Sequence, residues 1–284
     1  MSSMPTPLRN LSLHLAVVVA GSCVCALTAC VPSDLSVAEM RAAVQETVLQ
    51  GEGLVLENEI MEITTSFTVG DAVSEIITEV QAFTESQIPC STVEKVDART
   101  LAIDFGTLDD QCTYEGRTYA GRVQVGFKLN SGSIDIAHTY EGLTNGDITL
   151  DGTAEVTWTA DVRTVVTDLT FVGERGTVEV SSDRTQTLLD PEAGASAGVA
   201  VEGQRRWGGS AGDWLLDIEG VEWRGMDPLP QAGSYSLLNP DGKEITMSFS
   251  RVDEDTIAVT IESLRGDRMF HVSSTGRVTD EGDA

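Results

Sequence analysis

Apolar residues recur along this chain with two different periods, and the change between them divides it. From residue 36 to 89 the spacing is helical. Val37, Met40, Val44 and Val48 fall on one face, behind a Ser36-Val37-Ala38-Glu39 segment that fits a capping box. After Gly51 and Gly53, Leu56, Ile60, Ile63 and Phe67 repeat at the same spacing. Gly70 breaks the pattern again, and Val73, Ile76, Ile77, Val80 and Phe83 make the cleanest stripe of all. Pro89 closes the region. The spacing predicts three amphipathic helical segments.

From Cys90 onward the period is two. Val123, Val125 and Phe127 alternate with polar neighbours, as do Ala154, Val156 and Trp158. Val178/Val180, Ile245/Met247/Phe249 and Ile257/Val259/Ile261 behave the same way. One apolar and one polar face marks antiparallel strands solvated on one side. Turn signals stand at Asn130-Ser131-Gly132, Asn145-Gly146, Asp151-Gly152 and Asn239-Pro240-Asp241-Gly242. The last predicts a hairpin between 235–238 and 244–249. Residues 190–198 and 226–233 read as loops. The expected fold is mainly β with an N-terminal helical segment. About ten strands would strain a flat sheet, so an antiparallel sheet that is curled or folded into a sandwich is expected.

Before the first helix lies a segment of another kind. Arg9 is followed by an apolar run from Leu11 to Ala29 that ends in small residues, the pattern of a secretory signal. Leu27-Thr28-Ala29-Cys30 resembles the lipobox of bacterial lipoproteins, in which the cysteine is acylated, with palmitate among its chains, and becomes the first mature residue. The expected organisation is a signal peptide over 1–29, a lipidated tether over 30–35, a helical segment over 36–89 and a β domain over 90–284. Val31 stands where an aspartate would hold such a lipoprotein in the inner membrane. The resemblance therefore implies the bacterial cell envelope, with the outer membrane favoured and the lipid as membrane partner.

Cys90 and Cys112 remain after the leader and Cys30 are set aside. An even pair in an oxidising compartment predicts a disulfide, and no neighbouring CxxC or histidine suits a metal. The net charge of −27 argues against nucleic acid and anionic lipid headgroups as partners. No cofactor or metal motif is present.

Around the cysteine pair the residues are more specific. Cys90, Ile103-Asp104-Phe105-Gly106, Cys112, Gly116-Arg117 and Gly121 resemble a group of uncharacterised bacterial envelope lipoproteins, common in Bacteroidota and seen in myxobacteria. These share a Cys…DFG…Cys…GR…G segment. The resemblance implies a β-rich envelope lipoprotein and supplies no activity. Arg117 is expected to pair with a carboxylate such as Asp104.

Motifs with possible chemistry are few. Gly208-Gly209-Ser210-Ala211-Gly212 spells GxSxG, and Asp217 or Asp241 and then His271 follow in hydrolase order. A nucleophile elbow needs a helix after the serine, whereas Asp213–Glu219 reads as a strand, so a hairpin is expected there. His138 and His271 share no metal-ligand spacing and are expected to pack on strands. Trp207, Trp214 and Trp223 fall in one region with Arg206 and Arg224, a composition used by glycan- and protein-binding faces. Packing within the sheet is the alternative use of those rings. The expectation is a non-enzymatic lipoprotein with a structural or binding role, its partner a glycan or an envelope protein. The alternatives are a carrier of lipid or lipoprotein with an apolar cavity, and an esterase-like hydrolase built on Ser210.

Overall fold

The computed structural model describes residues 34–65, 67, 72–110, 112–114, 116–159, 162–174, 176–190, 197–210, 212–224 and 227–283. Two helices come first, α1 (Val37–Thr64) and α2 (Val73–Gln87). Fifteen strands follow: β1 (Thr92–Lys95), β2 (Thr100–Asp104), β3 (Cys112–Tyr114), β4 (Arg117–Asn130), β5 (Ser133–Thr144), β6 (Thr149–Trp158), β7 (Val162–Gly173) and β8 (Gly176–Leu188), then β9 (Val199–Gly209), β10 (Gly212–Trp223), β11 (Ala232–Leu238), β12 (Glu244–Arg251), β13 (Thr256–Ile261), β14 (Arg268–Ser273) and β15 (Val278–Asp283). Each strand pairs antiparallel with its sequence neighbour, except that β2 pairs with β4 and β3 hangs off β4. The result is one long meander with β1 and β15 at its edges. That is more strands than the alternation alone marks, because several are polar on both faces.

The helical region also differs from the three expected segments. Ser36 caps α1 as a capping box with Glu39, but the helix then runs straight through Gly51 and Gly53. Those glycines are there for closeness. A Cβ on Gly51 would stand 1.8 Å from the Pro228 carbonyl oxygen, and one on Gly53 would stand 2.3 Å from the Phe171 ring. Leu54, Val55, Leu56 and Glu57 are consecutive and all buried, so this half of α1 is covered on every side. By contrast α2 buries one stripe, Ile76, Ile77, Val80 and Thr84, and ends before Pro89.

What covers α1 is the sheet, bent around it. Gly276, in the turn after β14, packs on Val48 and Glu52, while the next residue, Gly53, meets Phe171 of β7. Strands seven places apart in a flat sheet would be separated by about 34 Å. Only a strongly curled sheet brings both to one turn of helix. Helices and sheet share one apolar core, from Val44 and Ile60 on α1 to Val125, Leu216 and Val259 on the strands. The helical segment is therefore no domain of its own.

Three of the expected turns join strands as read, with Gly132, Gly146 and Gly242 all at positive φ. Asp151-Gly152 does not. It lies inside β6, where Gly152 takes φ 125° and a Cβ would come within 2.3 Å of the Asp168 carbonyl oxygen. Cys90 and Cys112 form the expected disulfide, with Cα atoms 5.3 Å apart, tying the end of the helical region to β3.

Candidate functional site

The inner face of the curled sheet carries polar residues where alternation alone would place apolar ones. His138 and Tyr140 on β5, Arg163 on β7, Arg184 and Gln186 on β8 and Arg205 on β9 all point inward and are buried. Side chains of α1 answer them in order. Trp207 Nε1 donates to Glu46 at 2.9 Å, and Arg205 Nη2 approaches Gln50 Oε1 at 3.5 Å. Arg184 Nη2 donates to Glu57 at 2.6 Å, Arg163 Nη1 to Glu62 at 2.8 Å, and Thr64 meets His138 Nε2 at 2.8 Å. Along the helix the partners step back from β9 to β5, because α1 crosses the strands.

Over the whole ladder three carboxylates face three guanidiniums, but its most buried stretch does not balance. Arg184 and Arg205 are 2% and 1% exposed, and Glu57 is the carboxylate buried with them. Arg205 Nε and Nη1 have no hydrogen-bond partner, although its guanidinium lies over the Phe171 ring at 5.6 Å. Burial, then the charge of Arg184, pulls Arg205 down to about 9. Burial likewise holds His138 neutral, down to about 4, with a backbone contact to Ala154 in partial opposition and the Arg163 charge adding to the fall.

Above the ladder a cleft of about 610 Å³ opens to solvent. Its floor is α1 at Gln50, Glu52 and Val55 with Phe171, and of these Gln50 and Phe171 also cover Arg205. Its walls come from Arg117 and Thr118 of β4, Asn145 and Asp147 after β5, and Ser274 and Thr275 after β14. Arg117 is held by Glu59 of α1 at 2.7 Å, and Tyr119 donates to the same carboxylate at 2.6 Å. Arg117 thus pairs with a carboxylate as expected, though not with Asp104. That side chain instead accepts from the Gly106 N–H at 2.8 Å, closing its own turn. The cleft lining is thus mixed, with hydroxyls, amides and carboxylates set beside Leu49, Ile148, Val178, Pro228 and the Phe171 edge, a surface suited to a ligand with both polar and apolar faces.

The residues marked from sequence lie elsewhere. Trp207 and Trp223 are 1% and 5% exposed and offer no ring to a ligand. Trp207 stacks on the partly buried Trp214 at 6.0 Å, and Trp223 Nε1 donates to the Asp227 carbonyl at 2.8 Å. The expected exposed aromatic patch is therefore packed inside the sheet, since all three rings fall on inward positions of β9 and β10. Arg206 is outward, in a shallow hollow of about 480 Å³ with Asp168, Glu179 and Asp213. Arg224 stands 4.0 Å from Asp227. No common face unites these five.

Ser210 sits in the hairpin between β9 and β10, as the strand reading of Asp213–Glu219 implies. His271 lies on β14, four strands beyond β10, with Nδ1 3.6 Å from Glu281. The structure does not bring them together. Among the described residues no group of three or more His, Cys, Asp or Glu is placed to hold a metal. Cys30 and the leader expected over 1–29 fall outside the described residues. Comparison with family models, curated proteins and solved structures finds no match to this chain.

The polar ladder escaped the sequence reading, though it left a trace. Gln50, Glu57 and Thr64 recur every seven residues, a polar line on a helix otherwise rich in Val, Leu and Ile.

Proposed function

We propose that this protein is a non-enzymatic, lipid-anchored binding protein of the bacterial envelope, acylated at Cys30, whose cleft takes a polar, hydroxyl-rich ligand such as a glycan. The observation that carries the binding role is the filling of the sheet's interior. A carrier of lipid needs an apolar hollow, and here α1 occupies that space with Leu54, Leu56, Ile60 and Ile63. The cleft that remains sets amides, hydroxyls and carboxylates, groups that bond to sugar hydroxyls, beside apolar side chains such as Ile148 and Phe171. Anchoring rests on the Leu27–Cys30 motif. No helix among the described residues is long and apolar enough to cross a membrane.

The test is a titration of the full-length protein with oligosaccharides released from bacterial envelopes, run beside an apolar fluorophore. Saturable oligosaccharide binding, weakened about tenfold by the pair Asn145→Ala and Thr275→Ala, is expected. Stoichiometric uptake of the fluorophore without oligosaccharide binding would move the protein to the carrier class.

A further inference from the structure

The described chain begins in a fixed place. Asp34 pairs with Arg265 in the loop after β13, with Arg265 Nη2 and Asp34 Oδ2 at 3.0 Å, and its carbonyl accepts from Lys243 Nζ at 3.3 Å. Leu35 is 1% exposed, and its N–H donates to Ser263 Oγ at 3.3 Å. One end of the curled sheet, made of the β11–β12 and β13–β14 loops, therefore grips residues 34 and 35. Asp34 stands four positions after Cys30, so the chain between them reaches about 14 Å at most. The headgroup layer on one side of a bilayer takes up about 5–8 Å of that reach.

We infer that this gripped end lies against the bilayer surface, with Leu264 as its contact. The inference rests on acylation at Cys30. Leu264 is 62% exposed, the most exposed large apolar side chain among the described residues, and it adjoins the two residues that hold the chain's start. Val37 and Leu238, 43% and 42% exposed, stand on the same end, beside Asp34 and beside the loop that carries Lys243. The local cations are already paired, Arg265 with Asp34 and Lys243 with Glu39, so the contact is apolar and tethered rather than drawn by anionic lipid. The same placement orients the cleft: β14, six residues or about 20 Å long, separates the gripped loop from Ser274 and Thr275 of the cleft wall, which sets that wall away from the membrane and toward the envelope space.

The experiment uses the full lipidated protein in vesicles of phosphatidylcholine and phosphatidylethanolamine. A polarity-sensitive fluorophore is placed on Leu264→Cys or, on the cleft rim, on Thr275→Cys. Lipids spin-labelled near the headgroup are then added. At least about a twofold quenching at position 264 and none at 275 is expected, with no change in 1 M salt. Palmitate incorporation is measured on the same samples. Palmitate at Cys30 with no quenching at 264, or with equal quenching at both positions, overturns the orientation and leaves the anchor standing. No palmitate, abolished no further by Cys30→Ser, overturns both.

Discussion

Glu39 and Glu57 lie on the same helix, each beside a basic side chain from a distant strand, and their surroundings could hardly differ more. Glu39 meets Lys243 at the surface, with both side chains about a third exposed. Glu57 meets Arg184 where neither is more than 2% exposed, with Arg205 buried nearby and short of a partner. Lys243 and the Ser36 cap hold Glu39 down at about 2, yet water screens that pair and limits its worth. Glu57 and Arg184 are shut away from bulk solvent, which cannot take over if a partner is lost. The lesson is that a charge pair is judged by what replaces it, and only the inner pair has no substitute.

The comparison breaks most visibly at Glu57. Glu57→Gln leaves two buried guanidiniums without a carboxylate and is expected to cost about 3–5 kcal/mol in urea unfolding. Arg205→Met deletes the unpaired charge but keeps much of the stem. It is expected to leave stability within about 1 kcal/mol or to raise it, and a large loss would show that Arg205 is fully compensated.

The next effect follows pH. His138 binds a proton at about 4 when folded, against 6.5 ordinarily, so the unfolded chain holds more protons between those values. Stability is full above pH 6.5 and falls as pH drops toward 4, by about 3 kcal/mol. His138→Phe keeps the stack on Tyr140 and removes the proton site. Its stability should be nearly flat from pH 6.5 to about 5, below which lowered carboxylates such as Glu39 add their own slope. A slope equal to the parent's would place the titration elsewhere.

The smallest effect sharpens the comparison from the outside. Lys243→Ala is expected to leave urea unfolding nearly unchanged, with any difference shrinking further in 1 M salt. A cost near that of Glu57→Gln would mean the gripped end contributes to the core rather than to placement of the chain.

Much of this was legible from residues alone. The capping box at Ser36 and the stripe of α2 are local signals, and the hairpin at Asn239–Gly242 needs only its own four residues. The candidate site was not. Gly51 and Gly53 look like breaks until Pro228 and Phe171 are seen pressing on them. The tryptophans look like a surface until strand register turns them inward. Ser182, Arg184 and Gln186 stand on the inner face of β8 while polar residues also fill its outer face, so alternation is silent there.

The sequence by itself determined the change of period at residue 90, the antiparallel strands, the Cys90–Cys112 pair and the acidic surface. Each depends on neighbours in the chain or on composition. The tertiary structure decided that the sheet curls, that α1 fills it, and that Glu46, Gln50, Glu57, Glu62 and Thr64 face an ordered ladder of polar partners. It also decided where the cleft opens. Those outcomes depend on groups separated by as many as 161 positions in sequence, as Glu46 and Trp207 are, and on the desolvation that only a closed core imposes.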